Sequence, residues 1–326
     1  MSDQKNIKRV KGKVEEILNS NKTKQGETDY THVSLGGQCF PGKFTISDHK
    51  VRSKLMKYVA ELHDKGVYLS IAERPKDYGP VKVDVDLNYP EEEFKESTIF
   101  SNNRLYNSDM VSCVLELYKK HIKFYCDIND KDLNCYLFEK KNYSVKNSEI
   151  KDGFHLIFPN INLHYKIRHL IVEKVIKDVS QMNMFNKYTN ADIIDRAVVS
   201  SNCWLLYGCC KPNKEPYVLA KHYNYQNNEM NLNDLGTTRD IIKEISLRDQ
   251  KWSDSKQTKL NESYNDNIIS EAYSELGVKK EKANTHDVFM TEEKSEEIEK
   301  SVKLSEFLSH KRADNYHSCV IKIHLI

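Results

Sequence analysis

The chain has 326 residues, 30% of them charged and 39% hydrophobic, with a formal net charge of +2. That length supports one large domain or two smaller ones with a sizeable core, and no run approaches the roughly 18 consecutive apolar residues of a membrane span. The near-balanced charge excludes a histone-like polycation, so any nucleic-acid contact has to come from a local basic groove.

The opening "MSDQKNIKRVKGKVEE" lacks the apolar region of a signal peptide, which predicts a cytosolic setting. Residues 1–26 read as a flexible N-terminal lead in which "VEEIL" (Val14–Leu18) forms one or two helical turns. Order is expected from "YTHVSLGG" (Tyr30–Gly37), which with "GKFTI" (Gly42–Ile46) predicts a hairpin with a long loop. Asp48 then caps a helix whose Val51, Leu55, Tyr58, Val59 and Leu62 fall on one face, ended by Gly66. Strands follow at Val67–Glu73 and Val81–Leu87, joined by the loop "RPKDYGP". A second helix is expected over Ser108–Tyr125, strands at Cys135–Lys140 and Gly153–Pro159, and a third helix over Tyr165–Ser180. The stretches Asp192–Ser200, Cys203–Cys209 and Pro216–Tyr223 read as short strands. Strands and helices mix without strict βαβ alternation, which predicts an α+β fold with a mixed or antiparallel sheet. Residues 27–248 form the expected catalytic domain, 249–300 a polar linker with helical patches, and 301–326 a short amphipathic ending before the hydrophobic terminus "SCVIKIHLI".

Eight cysteines (Cys39, Cys113, Cys126, Cys135, Cys203, Cys209, Cys210 and Cys319) include no CxxC pair. They read as reduced thiols, and a zinc site would have to be assembled from distant positions.

The chemistry begins in "PVKVDVDLNY" (Pro80–Tyr89). Alternation on a strand turns Asp84 and Asp86 to the same face and Val83, Val85 and Leu87 to the other. Their backbones lie roughly 7 Å apart, a spacing from which carboxylates can converge on divalent ions in two-metal catalysis. The bland reading is a surface strand with two solvated acids. Mg²⁺ prefers oxygen ligands, and Asp195 in "IIDRAVV" is the candidate third acid; its alternative is an ion pair with Arg196. His155 in "KDGFHLIFP" can donate to phosphate oxygens, with Lys151 close by and Gly153 allowing close backbone approach, or it is an ordinary strand histidine. Lys211 in "YGCCKPN" can act as a point charge on phosphate, or it is a turn lysine. The acid-rich "DINDKD" (Asp127–Asp132) lacks the glycine and terminal glutamate of an EF-hand and reads as a solvated turn.

Taken in order, "YTHVSLGG…GKFTI", "PVKVDVDLNY", "KDGFHLIFP" and "IIDRAVVSSNCWLLYGCCKPNKEPY" resemble the archaeo-eukaryotic primase superfamily. The branch is the N-terminal primase part of poxvirus-type primase-helicases in large nucleocytoplasmic DNA viruses. The resemblance covers about Tyr30–Arg248. It implies an α/β unit paired with an RRM-like catalytic unit, with Asp84, Asp86 and Asp195 holding two catalytic Mg²⁺ or Mn²⁺ ions. It also implies that His155 and Lys211 contact the nucleotide; Lys151 is added from proximity alone. Arg196, Cys209 and Cys210 depart from the family's pattern, where lysine and small polar residues are expected. "VKLSEFLSHKRADNY" resembles the segment joining primase to helicase, yet no G-x-x-x-x-G-K-[ST] loop occurs, so the expectation is a split or frame-shifted gene retaining the primase part. The implied function is metal-dependent, template-directed nucleotidyl transfer with single-stranded DNA and nucleoside triphosphates as partners. The template would lie in a groove of Lys, Arg and Tyr, without membrane contact, in host cytoplasm or a viral replication factory, and the default assembly is a monomer. The rival expectations are an inactive or helper-dependent nucleic-acid-binding fragment, served by a separately encoded helicase part, and a metal-dependent nuclease.

Overall fold

Helix α1 (Asp3–Ser20) opens a computed structural model that describes residues 3–96, 104–190, 192–249 and 251–277. The expected flexible lead is instead a full helix. Val10, Val14 and Leu18 recur every four residues and are all completely buried, so an apolar stripe holds the helix against the fold. Strands β1 (His32–Ser34) and β2 (Gly42–Phe44) pair antiparallel, as the hairpin reading expects. Helix α2 (His49–His63) starts where the Asp48 carboxylate accepts from Val51 N at 2.9 Å and packs on α1. Strand β3 (Ile71–Glu73) is shorter than expected and lies beside β1.

The long strand β4 (Tyr78–Pro90) leads into the short helix α3 (Glu91–Glu96). Helix α4 (Ser108–Tyr125), capped by the Asn107 side chain, precedes strands β5 (Cys135–Glu139), β6 (Ser144–Lys146) and β7 (Glu149–His164). Helix α5 (Tyr165–Ser180) follows directly. The chain closes with β8 (Trp204–Leu205), β9 (Val218–Tyr223), β10 (Glu229–Met230), α6 (Thr238–Ile245) and α7 (Asp266–Glu275).

The fold is α+β with two antiparallel sheets. The small one runs β2-β1-β3-β8, and its core is shared with α1 and α2. The large one runs β10-β9-β5-β7-β4, with β6 added beside β7. On its rear face Val81, Val83, Val85, Leu87, Phe154, Leu156 and Phe158 pack with residues of α4 and α5 in the largest core. On its front face Tyr136, Phe138 and Ile157 meet Trp204, Ile245 and Leu247, which join the two sheets. This front seam is where the strand alternation delivers Asp84 and Asp86.

Two further expectations are corrected. Asp192–Ser200 is not a strand: the Asp195 carboxylate accepts from Ala197 N at 2.8 Å and caps a 3₁₀ turn over Arg196–Val199. Residues 251–277 are not a linker. Trp252 is buried and its indole N–H donates to Ser246 O at 2.6 Å. Asn162 Nδ2 donates to Ser253 O and Lys256 O at 2.8 and 3.1 Å, and Tyr273 packs edge-on against Tyr165. A polar sequence is thus tied down by side chains that satisfy its backbone carbonyls. The charge run "TEEKSEEIEKS" and the ending at 301–326 lie outside the described residues. Among the described residues no helix is long and apolar enough to cross a membrane.

Candidate active site

β4 is an edge strand of the large sheet, paired on one side only, with β7. Its free edge is occupied by the segment carrying Asp195. Asp86 N donates to Ile193 O and Asp195 N donates to Asp84 O, both at 3.0 Å, around a bridge between Val85 and Ile194. A third acid is thereby brought by backbone hydrogen bonds to the two on the strand. Arg196 does not neutralise it: that guanidinium pairs with Glu173 at 2.8 Å and Asp192 at 3.0 Å. Asp195 Oδ2 instead accepts a long contact of 3.4 Å from Asn202.

On the paired side the register sets His155 opposite Asp84 and Gly153 opposite Asp86. His155 Nε2 lies 3.2 Å from Asp84 Oδ1, yet that oxygen is buried and accepts no hydrogen bond of good geometry. Gly153 is needed for this approach, since a Cβ there would stand 1.9 Å from the Val85 carbonyl oxygen. Two rings fix the imidazole: Tyr217 stacks on it at 3.6 Å between centroids, and Trp204 lies at 4.6 Å.

The electrostatics follow from packing three acids together. The charge of Asp84 first, then burial and Asp195, pushes the Asp86 carboxyl up to about 7. Burial, with Asp84 behind it, raises Asp195. Burial also acts to raise Asp84, but His155, Lys140 and Lys211 outweigh it and hold that group below the usual carboxylate range. Lys140 Nζ sits 4.6 Å over the Tyr217 ring, and burial and then Lys211 lower its pKa.

Lys211 is exposed in a turn just after Cys210, whose N–H bonds Leu69 O at 2.8 Å. Cys209 and Cys210, the departures from the family pattern, are buried in the body of the fold. Lys151 shares the front face of β7, opposite Asn88 and one alternation beyond Gly153; the lysines that act most strongly on Asp84 and Asp86 are Lys140 and Lys211. "DINDKD" is a turn with Asp127 and Asp130 paired to Lys259 and Lys123.

Sequence reading missed Lys140, Tyr217, Trp204 and Lys82. Lys82 precedes Asp84 by one alternation, is buried, has no hydrogen-bond partner for Nζ, and lies 5.3 Å over the Trp204 ring. Its period-two spacing from Asp84 was the available signal.

Among the described residues no three His, Cys, Asp or Glu side chains form a ready-made metal cage. The three carboxylates nevertheless suit a hard divalent cation. All are oxygen donors, the charge of Asp84 raises the pKa of both Asp86 and Asp195, and Asp84 Oδ1 is buried without a hydrogen bond.

A family model described as "C962R protein N-terminal AEP domain" matches residues 31–223. The protein described as "Putative helicase 184R" of Invertebrate iridescent virus 6 is 28% identical over 333 aligned residues, covering 92% of this chain and 33% of that protein. "Putative helicase L207/L206" of Acanthamoeba polyphaga mimivirus is 26% identical over 309, covering 85% and 31%. The chain thus spans about a third of the length of these curated relatives.

Proposed function

The chain belongs to the AEP family, of archaeo-eukaryotic primase type, and on that premise we propose that it is a nucleotidyltransferase that extends or starts primers on single-stranded DNA. The observation that carries this reading is the meeting of Asp84, Asp86 and Asp195 beside a cationic and aromatic wall of His155, Lys140, Lys211 and Tyr217.

Asp84, Asp86 and Asp195 would hold Mg²⁺ or Mn²⁺. Bound there, such ions supply Lewis-acid activation of the attacking hydroxyl and charge neutralisation on the triphosphate. The protein's own groups orient the nucleotide. His155 donates from Nε2 to a phosphate oxygen, its ring angle fixed by Tyr217 and Trp204. Lys211 and Lys140 act as point charges on the triphosphate, and Lys151 is a more distant contributor on the same face. The primer 3′-oxygen forms a bond to the α-phosphorus, the bond to pyrophosphate breaks, and the hydroxyl proton leaves to solvent. Positioning and electrostatic stabilisation account for most of the acceleration in such a reaction.

A second reading is favoured by the chain spanning about a third of the length of its helicase-named relatives: the domain binds nucleic acid and becomes active only with a helicase part supplied by another chain. The proposed setting for either is host cytoplasm or a viral replication factory, in keeping with viral relatives. Incorporation of labelled ribo- and deoxynucleotides on a single-stranded template, with Mg²⁺, Mn²⁺ or chelator, separates the two. Metal-dependent product supports the first reading, and template binding without product under either ion supports the second.

A further inference from the structure

Away from the seam, the first turns of α2 and the end of α6 enclose an open hollow of about 240 Å³, solvent-facing space included, lined by His49, Arg52, Ser53, Lys243, Arg248 and Asp249. Three cations, Arg52, Lys243 and Arg248, face one carboxylate, Asp249, so its charge is positive on balance. Among the described residues none of Arg52, Lys243, Arg248 and the neighbouring Lys76 forms an ion pair. Arg52 is anchored by donating to Ile46 O and Ser47 O at 2.9 and 2.5 Å, which fixes its guanidinium at the rim. Arg248 Nε is buried with no hydrogen-bond partner. The buried Glu73, whose charge acts on Arg248, is committed to Ser246 Oγ at 2.6 Å and Leu247 N at 2.7 Å. Burial followed by the charges of Arg248 and Arg52 lowers the Lys76 pKa against the opposing charge of Asp249, and Lys76 Nζ donates to Trp252 O.

Guanidinium groups held in a fixed fork beside an ammonium suit a phosphate-class oxyanion, which accepts several charge-assisted hydrogen bonds at once. The triphosphate of an incoming nucleotide belongs at the carboxylates, and Lys76 lies two residues before β4, whose first residue Tyr78 is six residues, about 20 Å of extended strand, from Asp84. The hollow is therefore assigned a separate phosphate. We propose that the hollow between Arg52, Lys243 and Arg248 binds a backbone phosphate of single-stranded nucleic acid, a second anchor for the template. This rests on reading the seam as a template-directed active site.

The test is fluorescence anisotropy of a labelled single-stranded 20-mer without metal or nucleotide, comparing wild type with Lys243→Glu and Arg248→Gln. Lys243 is exposed, so its replacement leaves the core intact, and melting curves verify the fold of both variants. The expected result is affinity reduced about tenfold for Lys243→Glu, with the salt slope shallower by about 0.7 for each phosphate that is no longer neutralised. Wild-type affinity and slope in both folded variants overturn the proposal. So does an unchanged DNA affinity combined with stabilisation of wild type, but not of Lys243→Glu, by inorganic phosphate, which would assign the hollow to a free anion. Because binding is read without chemistry, loss of DNA affinity in the variants with no incorporation by wild type would set aside the first reading of the seam in favour of the second and leave the hollow standing.

Discussion

Replacing Gly153 by alanine adds one methyl group at the step where β4 and β7 carry the site. The new Cβ would stand 1.9 Å from Val85 O, and about 1 Å of separation is needed before such an approach becomes tolerable. Moving the strands apart by that amount takes ladder hydrogen bonds near 2.9 Å beyond useful length. Overpacking costs about 1–3 kcal/mol, and two weakened ladder bonds add about 1 kcal/mol each, so the change destabilises by about 3–5 kcal/mol. For a domain of this size that lowers the melting temperature by roughly 10 °C. Differential scanning fluorimetry measures the shift, and nucleotide incorporation at a temperature where the variant is folded measures the site. Activity is expected to fall further than the folded fraction, because the Asp84–His155 pair is the next step in the register. A melting temperature within about 1 °C of wild type would refute the reasoning about backbone approach.

Leu18→Ala removes a fully buried side chain from α1 and is expected to destabilise by about 2–5 kcal/mol, read by urea unfolding; a flexible lead would show no change. Asp178 accepts from Lys120 at 2.8 Å and is 2.9 Å from His121 Nε2, and these two bonds lower its pKa. A depressed carboxylate contributes stability above its unfolded value and loses it as pH falls through the folded one. Wild type should therefore melt above Asp178→Asn at pH 7, with the difference vanishing well below about pH 4. Tyr217→Leu frees the imidazole from its stacked partner, an interaction of about 0.5–1.5 kcal/mol. It is expected to raise the KM for nucleotide about 2- to 10-fold, with template affinity unchanged by anisotropy.

The helices were legible because their apolar stripes and caps are local: Asp48 and the Val51–Leu62 face define α2 within a few residues. The shared face of Asp84 and Asp86 was legible for the same reason, since period two is a backbone property. What makes the site was not local. Asp195 sits in an apolar run that looks extended, and only the hydrogen bonds to the β4 edge reveal that it caps a turn there. Lys140 and Tyr217 join through cross-strand register and ring stacking, which leave no periodic trace. The segment after Arg248 reads as a linker by polarity, while its order depends on Asn162 and Asn261 pairing with backbone carbonyls far away in sequence and on Trp252 donating to Ser246 O six residues back.

The central claim is that Asp84, Asp86 and Asp195 act together on one nucleotidyl transfer. The most direct measurement is the rate of labelled nucleotide incorporation on a single-stranded template with Mn²⁺, for wild type and the near-isosteric Asp84→Asn and Asp195→Asn. The account predicts metal-dependent product from wild type and a loss of at least about 100-fold in each variant while folding and template binding persist. Equal incorporation by wild type and either folded variant would contradict it.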